Sequence, residues 1–135
     1  MWSKNILLDN IYINSTSHSS QPARNTDGVD TLFSDGVTFR NMYIRNGDDA
    51  IAIKGNSTNI LVEDSIFDNS LGLAFGSLGQ YFGKTEIVEN VIARRIKFYG
   101  TRYASYVKTW TGDQVNYPPN GGGGGLGYLR NVSKY

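Results

Sequence analysis

The feature that most constrains the fold is an eight-residue pattern that occurs four times without gaps. The copies begin at Ile6, Val37, Ile60 and Val91. The first and third positions are apolar in every copy, which is the period of a half-buried strand. Repeats of about 20 to 50 residues are typical of solenoids, in which each unit packs only against its neighbours. The sequence therefore predicts a stack of similar coils.

A bend is predicted inside every copy, because the apolar pattern slips by one residue after the fourth position. A slip at the same place each time indicates two short strands joined by a corner. Asn and Asp suit such a corner, since they tolerate unusual backbone angles and form local hydrogen bonds. The predicted corner residues are Asn10, Asn41, Asp64 and Arg95.

A second set of strands lies between the copies, at residues 28–32, 49–53, 72–76 and 105–109. Three or so short strands per circuit predict an all-β fold, a right-handed parallel β-helix of four to five coils, with a weaker fifth copy starting near Gly127. A β-sandwich is the alternative, but sandwiches do not repeat a bend at one register. Residues 1–135 are expected to form one domain without capping coils, incomplete at both ends, and so part of a longer protein.

Composition excludes several classes of function. The chain has 13 Lys+Arg against 12 Asp+Glu and no cysteine. A balanced charge gives no reason to expect nucleic-acid or membrane partners, and neither disulfides nor thiol chemistry are available. Three Asn-x-Ser/Thr sequences, at Asn14, Asn56 and Asn131, would accept glycans in a secreted protein.

Three carboxylates are predicted to meet at one place. The separation between Asp27 and Asp48 is close to one circuit of the repeat, so the two should lie on neighbouring coils. Asp49 follows directly, and consecutive strand residues point to opposite faces. For both to reach one cleft, Asp48 must lie at a corner before the strand, where Gly47 would permit it.

Crowded acids of this kind suit hydrolysis of a glycosidic bond, in which one carboxyl donates a proton and another activates water. Repulsion raises the pKa of the most crowded or driest acid and so divides the roles. A Ca²⁺ or Mg²⁺ site is the competing chemistry. A polar corner without chemistry is the third possibility.

Four motifs in order resemble the polygalacturonases, the pectin-degrading glycoside hydrolases of family 28. These are Asn25-Thr26-Asp27-Gly28, Gly47-Asp48-Asp49, the segment 72–81 and Val107-Lys108-Thr109-Trp110; residues 76–81 with the later glycine run are similar to the fungal exo-acting branch. The resemblance implies a secreted, inverting, monomeric hydrolase of pectic polysaccharide or oligosaccharide that uses neither metal nor cofactor. It implies that Asp48 is the general acid and that Asp27 and Asp49 orient and deprotonate the water. The substrate contacts it implies are Asn25, Leu71, Gln80, Tyr106 and Lys108.

Two positions depart from the family pattern. Leu71 stands where the family has a catalytic-site histidine, and Tyr106 stands where it has a substrate-binding arginine. Arginine binds a carboxylate through two hydrogen bonds, which tyrosine cannot reproduce. The alternatives are therefore an α-L-rhamnosidase or rhamnogalacturonan hydrolase, and a non-catalytic sugar-binding or inactive truncated β-helix.

The segment Pro118-Pro119-Asn120 followed by Gly121 to Gly125 is open to two interpretations. Proline and glycine clusters are typical of flexible loops. Glycine also permits a close approach of backbone to a ligand.

Overall fold

The structure, a computed structural model, describes residues 2–115 and 121–135. Its regular elements there are thirteen strands. No helix among these residues is long and apolar enough to cross a bilayer. The strands are β1 (Ser3–Asp9), β2 (Tyr12–Ser15), β3 (Val29–Thr31), β4 (Ser34–Arg40), β5 (Tyr43–Asn46), β6 (Asp49–Ile53), β7 (Ser57–Glu63), β8 (Ile66–Asp68), β9 (Gly72–Leu78), β10 (Thr85–Arg94), β11 (Lys97–Tyr99), β12 (Ser105–Thr109) and β13 (Leu126–Lys134).

The strands form three parallel sheets, and every circuit of the chain adds one strand to each. Sheet A has the order β1-β4-β7-β10-β13, sheet B β11-β8-β5-β2, and sheet C β12-β9-β6-β3. The predicted starts of the repeat lie opposite one another, since Ile6 pairs with Val37, Val37 with Ile60 and Ile60 with Val91. The predicted parallel β-helix is confirmed, with four complete circuits and the first strand of a fifth.

The fifth copy exists, but the predicted start near Gly127 is wrong. Val91 pairs with Val132, and Gly127 pairs with Glu86 on the strand before the repeat start. The last circuit is also the longest, because the stacked residues Asn90 and Asn131 are 41 residues apart, whereas Asn59 and Asn90 are 31 residues apart. The weak fifth pattern was therefore aligned too early in the sequence.

The predicted corner between sheets A and B is confirmed in all four complete coils. Its residues have left-handed backbone angles, with φ of 58° at Asn10, 54° at Asn41, 51° at Asp64 and 54° at Arg95. Asn and Asp tolerate this region best among non-glycine residues. At Arg95 the side chain compensates by bonding to Asp64 at 2.6 Å through Nε.

A second left-handed column, not predicted from the sequence, lies immediately before each repeat start. Its φ angles lie between 52° and 73° in every coil. The asparagines also bond along the stack: Asn90 donates to Asn59 at 3.1 Å and Asn131 donates to Asn90 at 3.0 Å. The column consists of Asn5, Gly36, Asn59, Asn90 and Asn131.

One contiguous apolar core runs through the centre of the solenoid. Phe39, Ile44 and Phe67 in the middle coils are fully buried, whereas Val107 on the last strand of sheet C is 51 % exposed. Core burial thus falls towards both ends of the stack. The assignment of residues 1–135 to a single domain stays a prediction.

Coil length varies only beside sheet C. The connection from β2 to β3 runs from position 16 to position 28, whereas the equivalent connection in the next coil, from β5 to β6, consists of positions 47 and 48 alone. On the other side, the third coil inserts residues 79–84 between β9 and β10. These insertions form the walls of a cleft over sheet C.

Candidate active site

The cleft lies on the outer face of sheet C and has a volume of about 1080 Å³. Five residues predicted from the sequence line it: Asn25, Asp27, Asp48, Gln80 and Lys108. They come from all four coils, so stacking brings together residues that are distant in the sequence. A cleft of this size, with several convergent polar groups, is the expected form of a binding site.

The three predicted aspartates do converge. One carboxylate oxygen from each of Asp27, Asp48 and Asp49 lies within 4.8 Å of the others. Strand β6 begins at Asp49, so Asp48 occupies the bend before the strand, as predicted. Val29 pairs with Ile51, and continuing this register towards the start of each strand sets Asp27 opposite Asp49, not opposite Asp48.

Two residues before the acids lock the coil that carries Asp27 to the coil that carries Asp49. A Cβ at Gly47 would lie 2.3 Å from the carbonyl oxygen of Ala23, so no side chain fits there. The Asn46 amide is buried and donates to the carbonyl oxygens of Thr26 at 2.7 Å and Asp49 at 2.6 Å. The aspartates are therefore held by backbone packing, which fixes their spacing.

Asp48 is oriented by two backbone donors. Its Oδ2 accepts the N–H of Asn25 at 2.9 Å, and its Oδ1 accepts the N–H of Asp49 at 3.0 Å. The side chain remains partly exposed and lines the cleft. Asn25, predicted as a substrate contact, thus supports Asp48 through its backbone.

Asp49 is completely buried and is held by the strand two coils away. Tyr106 donates a hydrogen bond to its Oδ1, and the Lys108 ammonium lies 2.5 Å from its Oδ2. Burial, followed by the bond to Asp49, raises the pKa of Tyr106. Tyr106 and Lys108, which were predicted to bind substrate, thus contact the catalytic candidate Asp49. A contact of either residue with substrate stays a prediction.

Asp27 is the acid whose titration is most altered. Its pKa is raised from 3.8 to about 6, first by burial and then by the negative charges of Asp30, Asp49 and Asp48. A side-chain hydrogen bond with Asp30 adds to the rise. Asp30 in turn forms an ion pair with Lys54 at 2.5 Å.

Leu71 and Gln80 are placed differently from each other. The Leu71 N–H donates to the Asp48 carbonyl at 2.8 Å, but its side chain is not among the described residues that line the cleft. Gln80 lines the cleft, and its backbone N–H donates to Glu86 Oε2 at 3.1 Å. Substrate contact by either side chain stays a prediction.

The glycine run packs against backbone. A Cβ at Gly121 would lie 2.5 Å from the carbonyl oxygen of Gln80, and one at Gly125 would lie 2.5 Å from that of Tyr81. Gly122 and Gly123 both donate to the Gln80 carbonyl. The glycines of 121–125 thus permit a close approach of backbone to the backbone of the protein itself. Pro118 to Asn120 lie outside the described residues.

Sequence reasoning missed three supporting residues: Asp30, Asn46 and Glu86. Asp30 and Lys54 are 24 residues apart, and this one-coil spacing was the available signal for their ion pair. Asn46 directly precedes the Gly-Asp-Asp motif, and this position was its available signal. A buried amide there can bond to the backbone of two coils. Glu86 carries no such signal, because the insertion at residues 79–84 precedes it. The insertion changes the sequence spacing between Glu86 and the Gly-Asp-Asp motif.

The acid cluster also has the composition of a possible cation site. Each oxygen of Asp49 already has a donor, the hydroxyl of Tyr106 or the ammonium of Lys108. Lys108 therefore supplies positive charge where a cation would bind. The predicted absence of a metal and of a cofactor stays a prediction.

The architecture is therefore a parallel β-helix with an open cleft, beside which three aspartates converge. Residues 1–117 match the family model of Glycosyl hydrolases family 28. Because this match covers most of the chain, the protein belongs to that family.

Named relatives agree with this assignment. The chain is 46 % identical to an alpha-L-rhamnosidase rgxB of Aspergillus niger, over 98 % of the chain and 32 % of the relative. It is 42 % identical to an exopolygalacturonase of Cochliobolus carbonum, over 97 % of the chain and 30 % of the relative. The chain thus spans about a third of the length of the curated relatives it matches.

A solved structure shares the fold. The endo-xylogalacturonan hydrolase from Aspergillus tubingensis superposes with a TM-score of 0.81 at 27 % identity. The superposition covers 97 % of this chain and 32 % of that enzyme.

Proposed function

We propose that the protein is a glycoside hydrolase that cleaves α-glycosidic bonds of pectic glycans by acid–base catalysis. The observation that carries the proposal is the convergence of Asp27, Asp48 and Asp49 within 4.8 Å, with Asp27 and Asp48 lining an open cleft. Membership of family 28 and the names of the relatives support the pectic substrate. General acid or base catalysis of this kind contributes roughly 10²- to 10⁴-fold in rate.

Asp48 is proposed as the general acid. It lines the cleft, and two backbone donors fix the orientation of its carboxyl group. In the step, the Asp48 proton moves to the glycosidic oxygen while the bond from that oxygen to the anomeric carbon breaks. The carboxylate that remains is stabilised by the N–H groups of Asn25 and Asp49.

Asp27 and Asp49 are proposed to hold the attacking water. Two oxygens up to 4.8 Å apart can both accept from one water, because two hydrogen bonds of about 2.8 Å span that distance. Asp27 takes the proton, since a raised pKa of about 6 suits a general base. Asp49, fixed by Tyr106 and Lys108, orients the water.

Attack by water inverts the anomeric configuration. Inverting enzymes usually separate their carboxyls by about 6.5–9.5 Å and retaining enzymes by about 5–5.5 Å. The close spacing here is therefore unusual for inversion, and it depends on a third acid to hold the water. Proton NMR of the first-formed sugar is expected to show the inverted anomer; a retained anomer would make a carboxylate the nucleophile.

Replacement of Asp48 by asparagine tests the proposal. Asp48→Asn removes the proton donor while keeping its shape, so hydrolysis of pectic oligosaccharides should fall by about 100-fold or more. Glu89→Gln, which alters an exposed ion pair with Arg130 at 2.8 Å on sheet A, should retain wild-type turnover. Full turnover by Asp48→Asn would sink the assignment. A wild-type chain without activity on any pectic substrate would favour the non-catalytic or inactive alternative.

A second candidate changes the sugar and keeps the acids. Tyr106 replaces the arginine of the family pattern, and Lys108 is engaged by the buried Asp49, so neither presents a free cation to a uronate at the acids. A neutral sugar such as rhamnose suits this position, and one relative is named a rhamnosidase. Released products decide: free rhamnose from defined pectic oligomers supports this candidate, and free galacturonic acid alone removes it.

Exo-action, secretion and a monomeric state complete the proposal, without nucleic-acid or membrane partners. Exo-action rests on the name of the Cochliobolus carbonum relative, and single sugars as the only early products would bear it out. The sequon asparagine Asn14 is exposed and could carry a glycan in a secreted protein. Sedimentation of the protein isolated from culture medium would test secretion and oligomeric state together.

A further inference from the structure

The cleft has a second end, at the carboxyl ends of the strands of sheet C, which the proposed chemistry does not use. Three exposed aromatic residues line it: Phe33 at 38 %, Tyr81 at 38 % and Phe82 at 69 % exposure. We call these three the aromatic shelf. We propose that the shelf and Lys84 bind a uronate residue of the glycan away from the bond that is cut; this inference rests on the proposed function.

The shelf lies at the opposite end of β3 from the acids. Asp27 and Phe33 lie on the same coil, on either side of β3. At about 3.3 Å per strand residue, the three residues of β3 alone account for about 10 Å of separation. A ligand on the shelf is therefore a different part of the substrate from the ring at Asp48.

Phe33 is held in an unusual backbone conformation. Its φ of 49° is uncommon for a bulky residue, and such angles persist only where the surroundings enforce them. The Phe33 N–H donates to Gly55 at 3.2 Å, its carbonyl accepts from Ser3 at 3.1 Å, and the Trp2 ring packs edge-on at 5.4 Å. The exposed ring is thus presented to the cleft in a fixed orientation.

Phe82 is supported by the glycine run. A Cβ at Gly124 would lie 2.8 Å from the Phe82 ring, so the bare backbone forms a wall behind it. The Lys84 N–H donates to the Tyr81 carbonyl at 3.1 Å, which closes the turn from Tyr81 to Lys84. This turn carries Tyr81, Phe82 and Lys84, and all three line the cleft.

Lys84 is the cation of the cleft that lacks an acidic partner among residues 2–115 and 121–135. Lys54 pairs with Asp30 and Lys108 pairs with Asp49, each at 2.5 Å. The nearby acid Glu86 is 8 % exposed, and its Oε2 accepts the N–H of Gln80. Lys84 therefore remains available for a ligand carboxylate.

The chemistry of the two groups selects the ligand. Exposed aromatic faces bind the apolar face of a pyranose ring, since large exposed apolar side chains in a cleft mark binding sites. An ammonium that lines the same cleft and lacks an acidic partner among the described residues adds attraction for a carboxylate. A uronate has both an apolar ring face and a carboxylate, whereas a neutral sugar would leave Lys84 without a partner.

Calorimetric titration with two probes tests the proposal. All variants carry Asp48→Asn, so that the ligand is not cleaved and binding is measured whether or not the protein is a hydrolase. The probes are trigalacturonate and its full methyl ester, which keeps the sugars and removes the charges. Lys84→Gln should weaken trigalacturonate binding about fivefold, the upper range for an exposed ion pair, and leave ester binding unchanged.

Two further variants sharpen the test. Lys97→Gln alters an exposed lysine on β11, outside the cleft, and should bind both probes as the parent does. Phe82→Ala should weaken both probes equally, because the ring face is common to them. Unchanged trigalacturonate binding in Lys84→Gln, or equal loss of the ester, would overturn the role of Lys84. Unchanged binding in Phe82→Ala would overturn the role of the shelf.

Discussion

Asp27 shows how a single side chain depends on its neighbours in the stack. The strand register places Asp27 opposite Asp49, and Asp30 follows three residues later on the same coil. Burial and these charges together raise its pKa to about 6. Its proton is therefore more tightly held in the folded chain than in the unfolded one.

This difference predicts a pH dependence of stability. The unfolded chain releases this proton near the ordinary pKa of 3.8, whereas the folded chain keeps it up to about pH 6, so a rise in pH across this window favours the unfolded state. The free energy of unfolding of the wild type should therefore fall relative to that of Asp27→Asn. The side chain is partly exposed, so solvent screening limits the fall to about 1 kcal/mol.

Urea unfolding at pH 4 and pH 7 measures the effect. Asp113→Asn, which changes an exposed acid outside the cluster, should keep the wild-type pH dependence. A wild type and an Asp27→Asn variant that respond equally to pH would show that the surroundings of Asp27 do not hold its proton.

The sequence could predict which acids meet, but not how each is held. A spacing close to one circuit was sufficient to bring Asp27 and Asp48 together. The partners of Asp49 lie 57 and 59 residues away on β12, two coils further along. Their contact depends on side-chain reach across the small residues of an intervening coil, which no local pattern encodes.

At the scale of the strands, the residues before each repeat start form a column with left-handed backbone angles. Asn90 has a φ of 57° and bonds to asparagines of both neighbouring coils. Alanine there would lose these bonds and also strain the backbone, which costs L-residues about 1–2 kcal/mol. Glycine loses the same bonds without that strain.

Asn90→Ala should therefore be less stable than Asn90→Gly by about 1 kcal/mol in urea unfolding. Glu89, the preceding residue of β10, has no positive φ and provides the matched pair. There the order should reverse, because glycine in a strand interior is the costlier residue. The same order at both positions would contradict a conformational role for the column.

The strands and corners could be predicted from the sequence because the same pattern occurs in every coil. Four aligned copies made the slip at Asn10 and its equivalents visible, and β6 and β12 have the predicted bounds. The fifth copy was placed wrongly because the circuit that leads to Val132 contains a long insertion beside sheet C. An insertion changes the sequence spacing without changing the register of the strands.

For the molecule as a whole, the stack predicts a gradient of stability from the middle to the ends. Phe67 and Phe98 occupy the same position in adjacent coils, with ring centroids 5.6 Å apart. Phe67 is fully buried, whereas Phe98, on the last strand of sheet B, is only partly buried. Each coil of a solenoid gains its stability from its neighbours, and within residues 2–115 and 121–135 strand β11 pairs with β8 alone.

Phe67→Ala should therefore cost about 3–5 kcal/mol of unfolding free energy, and Phe98→Ala about half as much. The two substitutions remove the same atoms from equivalent positions, so each serves as the control for the other. Equal costs in denaturant unfolding would show that the last coil is as well supported as the third.

The coils differ in length only in the connections beside sheet C. Changes in these connections can therefore be separated from changes in the strands that hold the acids. Doubling a loop costs only about 0.6 kcal/mol in closure entropy, so the segments that carry Asn25 and Lys84 can lengthen cheaply. The strand register of sheet C, which sets the spacing of the acids, is unaffected by such growth. The walls of the cleft can therefore change in length, and with them the ligands that fit, while the proposed catalytic acids keep their arrangement.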